Sequence, residues 1–193
     1  MLLIVLLALA ISRQSAPETT FEVDLWPEEG RPVFEAVAPR LRLYEQPSQS
    51  SRLVDTARVG RGQRLSFDET RYRTIKPGQL LVLTSTTITG RTVGDVARVS
   101  RSDYYSNKFA PVRVAVRAGD RIEYLQYRAE GTCFVRAEGS VIDAAPCPTE
   151  QPTQFRLEAK PVTEWWIHLV ADGKTRGWLL VTDATAKVVA RRG

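Results

Sequence analysis

His168 is the only histidine in the 193-residue chain, and Cys133 and Cys147 are its only cysteines. Histidine-dependent nucleophilic chemistry would have to run through His168, with an acid to orient it and a nucleophile beside it. Asp172 and Cys133 are the conceivable partners, yet no motif links the three. An imidazole in a strand beside two tryptophans reads instead as a structural hydrogen-bonding group. A zinc site of several histidines or of four thiolates is excluded by the counts alone. Asp172-Gly173-Lys174-Thr175 ends like a phosphate-binding loop, but His168 stands where that loop needs its first glycine. Gly177-Trp178 then falls where it needs a helix. Gly60-Arg61-Gly62 lacks both a third glycine and a following helix. The chain therefore reads as non-enzymatic, with no catalytic residue, metal or cofactor.

The cysteines are 14 positions apart. In an oxidising compartment they can pair, and closing a loop of that size stabilises a fold by about 3 kcal/mol. In a reducing one they read as two buried thiols. If they pair, Cys133 begins a strand, Glu138-Gly139 turns it, and the return sets Cys133 opposite about Ala144. The bridge to Cys147 then needs an irregular end near Ala145-Pro146.

Aromatic side chains are the stronger lead to a ligand. Trp166, Trp178, Tyr124 and Tyr127 offer stacking area with polar tips at low entropic cost, and Arg128 and Glu130 lie where a loop could border such a groove. The alternative is that these rings fill a small core, the reading for Trp165, which shares a face with Ile167 and Leu169. Arginine outnumbers lysine 22 to five, within a formal net charge of +5. Arg40, Arg42, Arg113 and Arg117 alternate with apolar residues and so face outward. Such a surface suits nucleic acid, anionic lipid heads or wall polymers.

These side chains must be carried by short strands. Residues 40–44, 111–116 and 120–124 alternate polar and apolar, and 79–84 is a more continuous apolar run. Turn signals recur at 46–48, 60–62, 76–78, 118–120, 138–139 and 172–173. Residues 164–179 form a hairpin with Trp165, Ile167 and Leu169 on one face and Trp166, His168 and Val170 on the other. A short helix is expected around Asp103 to Lys108. With no longer segment of helical period, the class is all-β. Gly62-Gln63-Arg64-Leu65-Ser66-Phe67 aligns with Gly119-Asp120-Arg121-Ile122-Glu123-Tyr124 at an offset of 57 residues, which suggests two repeated units.

The amino terminus bears on compartment. Leu2 to Ile11 is an unbroken apolar run about half as long as a bilayer-spanning helix, and Ala8-Leu9-Ala10 has the form of a signal-peptidase site. It reads as an export signal or a short uncleaved anchor, although no lysine or arginine precedes it. Residues 12–32 are proline-punctuated and acidic and read as a linker, within which Phe21, Val23 and Leu25 alternate with charges and could dock on the body.

The carboxy-terminal hairpin resembles the bacterial SH3-like (SH3b) family. Trp166, Gly173, Lys174, Gly177, Trp178 and Leu179 stand where that family has a tryptophan strand, a Gly/Lys-rich turn and a Gly-Trp-aliphatic strand. Residues 119–124 look like its early strand. The resemblance covers about 111–190; the first repeat lacks the Gly-Trp pair. It implies two small SH3-like barrels in tandem, 33–110 and 111–193, the first degenerate. It also implies an exported, non-catalytic protein of the periplasm or cell surface that binds a cell-wall peptide or glycan, or an envelope protein. Trp166, Trp178, Tyr124, Tyr127 and Arg128 are the ligand-binding candidates. Export argues against nucleic acid, and membrane contact is expected only through an uncleaved amino-terminal segment. The alternative is a purely structural scaffold in an envelope complex, with no small ligand.

Overall fold

The computed structural model describes residues 21–25, 31–94, 96–106, 108–171 and 174–189. The apolar run at 2–11, the first part of the linker and the turn at 172–173 lie outside them. Along the chain come β1 (Phe21–Val23), β2 (Val33–Ala36), β3 (Arg40–Tyr44), β4 (Leu53–Arg58), β5 (Arg64–Leu65) and β6 (Phe67–Lys76). Then follow β7 (Gly78–Val82), β8 (Thr86–Gly94), β9 (Arg98–Val99), the short helix α1 (Arg101–Tyr105), β10 (Ala110–Val116) and β11 (Arg121–Tyr127). The chain ends with β12 (Cys133–Ala137), β13 (Ser140–Ala144), β14 (Phe155–Ala159), β15 (Val162–Ala171), β16 (Lys174–Val181) and β17 (Ala186–Val189). The all-β class read from alternation holds. The helix begins before the expected Asp103 because the Ser100 hydroxyl accepts the Asp103 N–H and caps it there.

Strands assort into three sheets, ordered β4-β3-β16-β15-β6-β1-β9, β10-β8-β13-β12-β11-β7-β14 and β17-β2-β5, none closed into a barrel. The first and third sheets enclose one core, in which Phe34, Leu41, Leu43, Ile167 and Leu179 are almost wholly buried. The second sheet curls over its own core, so that Val114 and Val116 of one edge share a cluster with Phe155 of the other. A third cluster joins Phe21, Val23 and Leu25 to Val99, Tyr104, Leu125 and Phe134, between β1 and the opposite face of the second sheet. The alternation at 21–25 thus does dock this segment, with β1 pairing antiparallel to β6 and parallel to β9.

The expected division at 110/111 cuts across both large sheets. Strands from 33–76 pair with strands from 162–189, and the second sheet runs from 78 to 159. The chain leaves and re-enters at one point, where Lys76 pairs with Val162. Gly78 lies at this crossing. A Cβ there would stand 2.4 Å from the Ala159 carbonyl oxygen and 2.7 Å from the Pro161 nitrogen. The repeat recurs locally but serves different cores: Phe67 packs in the first unit and Tyr124 in the second.

Cys133 and Cys147 form a disulfide with Cα atoms 5.2 Å apart. Cys133 pairs with Ala144 in the β12–β13 register, and the chain reaches Cys147 through a cis Ala145-Pro146 bond, the irregular end the spacing calls for.

Candidate functional site

The residues on which the sequence reading concentrates sit on the outer face of the first sheet. In β15 the alternation turns Ile167 and Leu169 into the core, with Trp165 against Phe34 at 5.0 Å, and leaves Glu164, Trp166 and His168 outside. In β16, Leu179 points inward while Trp178 and Leu180 join Trp166 and Tyr44 in a separate outer cluster. Gly177 makes this possible. Its φ is 129°, and a Cβ would lie 2.8 Å from Val54 Cγ2 and 2.9 Å from the Tyr44 carbonyl oxygen. Only a glycine lets β3 come close enough to pair Tyr44 with Trp178.

Charged groups roof these rings. The Arg71 guanidinium lies 5.4 Å from the Trp178 ring centre and Arg42 5.7 Å from that of Tyr44. The His168 ring is 4.9 Å from Trp178, and the Trp166 indole donates to Glu164 Oε2 at 2.9 Å. Beneath this cover Trp166 is fully buried and Trp178 is 7% exposed. His168 Nδ1 meets Asp68 Oδ1 at 2.8 Å, and Cys133, the conceivable nucleophile, has its sulfur in the disulfide; Asp172 lies outside the described residues.

Beyond the rings the same face becomes a row of alternating charges. Glu164, Arg73, Glu22 and Arg98 succeed one another across β15, β6, β1 and β9. Arg73 reaches Glu22 at 3.3 Å and Glu164 at 3.6 Å, and Arg98 meets Asp24 at 2.9 Å. Arg71 binds Glu69 at 3.0 Å and also pairs with Asp24. Opposite charges on neighbouring strands hold β1 by its polar face while its apolar face is buried. A cavity of about 150 Å³, lined by Asp24, Asp68, Glu69, Thr70, Arg71 and Arg101, adjoins this row.

The five candidate ligand-binding residues do not form one groove. Trp166 and Trp178 come together. Tyr124 lies in the core of the second sheet, where burial pushes its hydroxyl up to about 12. Tyr127 is half-exposed on the same strand, and its hydroxyl accepts the Gly131 N–H at 3.1 Å. The physical reason is that β11 pairs with β7 and β12, not with the tryptophan hairpin. Arg128 belongs to a cluster that sequence reasoning missed. Buried Asp143 accepts from the Tyr104 hydroxyl and from Arg91, both at 2.8 Å, with Arg128 at 3.7 Å. Both guanidiniums lie 4.8 Å from the Tyr104 ring centre, and burial beside Asp143 raises the Tyr104 hydroxyl above the usual range. The cluster fastens α1 to β13 and β8. Its one sequence signal is an acid, Asp143, inside the apolar run Val141-Ile142-Asp143-Ala144.

Among the described residues, no three side chains that ligate metals converge, and no helix is long and apolar enough to cross a membrane. Compared with known proteins, the chain matches no family model, no curated protein and no solved structure.

Proposed function

We propose that the protein is an exported, non-catalytic binding module of the cell envelope. Its SH3-like part is the unit assembled from 33–76 and 162–189, with the second β unit inserted at 78–159. It recognises a short peptide, in a cell-wall fragment or an envelope protein, on the outer face of β15 and β16. The observation that carries this reading is the position of Tyr44, Trp166 and Trp178. They lie outside the core that holds the two sheets together, and their cover is made of charged side chains. A peptide carboxylate can take over the contacts that Arg71 now makes singly with Glu22, Asp24 and Glu69, and leave the Trp178 face for stacking. The apolar amino-terminal run supports export to the periplasm or cell surface, and the disulfide is compatible with an oxidising compartment.

The test is titration of the full chain with soluble muropeptides, followed by tryptophan fluorescence and by amide chemical shifts. Shifts confined to β3, β6, β15 and β16, lost in Trp178→Ala, are expected. A purely structural scaffold is the second reading, favoured by the number of charges on this face that already neutralise one another. It predicts that envelope pull-downs recover proteins and no muropeptide. If neither muropeptides nor envelope proteins perturb these strands, both readings fail.

A further inference from the structure

Positive charge is unevenly distributed. Residues 31–65 hold seven of the 27 basic and three of the 22 acidic side chains, leaving 20 against 19 in the rest of the chain. Almost all the net charge of +5 therefore belongs to the segment from β2 to β5. The three carboxylates there are already engaged: Glu35 by Lys187 at 3.8 Å, Glu45 by Arg52 at 2.8 Å and Asp55 by Arg176 at 2.7 Å. Arg31 is spent on Phe67, stacking on its ring and donating to its carbonyl. Arg40, Arg42, Arg58, Arg61 and Arg64 are all exposed and, among the described residues, have no carboxylate partner.

Elsewhere most arginines are paired, though exposed Arg113 and Arg117 have no carboxylate partner among the described residues. Arg71, Arg73, Arg91, Arg98, Arg121 and Arg136 each meet an acid. Of the unpaired five, Arg40, Arg42 and Arg58 are brought together, while Arg64 is the cross-strand partner of Glu35 in the β2–β5 ladder. Arg40 and Arg58 are direct cross-strand partners in the β3–β4 ladder, a like-charge juxtaposition that destabilises a sheet. Arg42 lies two residues along the same face, about 7 Å away by strand rise. Arg61 and Lys187 flank a cavity of about 350 Å³ also lined by Ala36, Val37 and Gly62.

We infer that this surface binds a linear polyanion with one phosphate charge per repeat, a partner class separate from the peptide of the preceding section. Guanidinium forks grip oxyanions bidentately, and a chain of phosphates supplies the counter-charge that the carboxylates of this segment do not. The surface shares Arg42, which lies over the Tyr44 ring, with the aromatic face, but it needs no peptide bound there.

The experiment is titration of the full chain with long-chain sodium polyphosphate over a range of salt concentrations, beside vesicles with and without phosphatidylglycerol. Five contacts predict a log–log salt slope of about −3.5, at about 0.7 per contact for a single strand. Arg40→Gln with Arg58→Gln should weaken binding at least about tenfold and flatten the slope by about 1.4. Arg113→Gln with Arg117→Gln removes the same charge from exposed positions on and just beyond β10 and should leave binding unchanged. Arg58→Glu sets a carboxylate opposite Arg40, so it should raise thermal stability while weakening polyphosphate binding, which separates binding from folding. Equal losses in the two arginine pairs would reduce the effect to net charge and overturn the inference. So would vesicles containing phosphatidylglycerol binding where polyphosphate does not.

Discussion

Replacing Gly78 by alanine tests the nested arrangement of the two units. The added Cβ would meet three backbone atoms, at 2.4, 2.7 and 2.9 Å, all from the returning segment 159–161. Backbone cannot rotate aside as a side-chain tip can, so the crossing itself must open. Forcing a methyl group into a filled site costs 1–3 kcal/mol, and three backbone contacts put this one at about 3 kcal/mol. For a chain of this length that lowers Tm by about 6–12 °C. Thermal unfolding followed by circular dichroism measures it, with Gly60→Ala as the control, because the nearest atom to a Cβ there is a side-chain oxygen at 3.7 Å. If Gly78→Ala unfolds at the temperature of Gly60→Ala, the strands do not cross there. The tandem division at 110/111 would then be the better description.

Three further predictions concern elements that hold the units in shape. Reducing the Cys133–Cys147 bond should lower the free energy of unfolding by about 3 kcal/mol, read as a lower urea midpoint for Cys133→Ser with Cys147→Ser; an unchanged midpoint would count against a bridged native state. Asp143→Ala leaves Arg91 and Arg128 against Tyr104 without their acid. The loss should be about 3 kcal/mol, at the low end for a broken buried pair because Arg91 is 34% exposed. The Asp103 carboxyl is held below the usual carboxylate range by hydrogen bonds from Lys108 and then Ser100. Its contribution to stability is therefore present above the ordinary aspartate value and lost as pH falls through the lowered one. Carbon-detected NMR titration should show that midpoint rising in Lys108→Ala, and a midpoint that stays put would remove Lys108 as the cause.

Much of the candidate site was legible because β alternation is a local property. The split of Trp165, Ile167 and Leu169 from Trp166 and His168 follows from a period of two, whatever the strand pairs with. The segment Phe21 to Leu25 likewise announced a buried face. Glu22 and Asp24 gave no sign that they would face Arg71, Arg73 and Arg98, since nothing near residue 22 encodes a neighbour at 73 or 98. Arg128 and Glu130 looked like the border of a groove because they follow Tyr127. A register shift between Tyr124 and Gln126 and the burial of Asp143 gave Arg128 its actual partners.

From the residues alone, the chain was committed to strands and to the faces of its tryptophan hairpin, while the cysteine spacing allowed a bridge with an irregular end and left two buried thiols as the alternative. Tertiary structure decided which strands meet. β15 pairs with β6 across about a hundred residues, the second sheet is threaded between them, and Gly78 marks the crossing. Such partnerships depend on complementary faces and on the space left by other strands, and these exist only once the chain has folded.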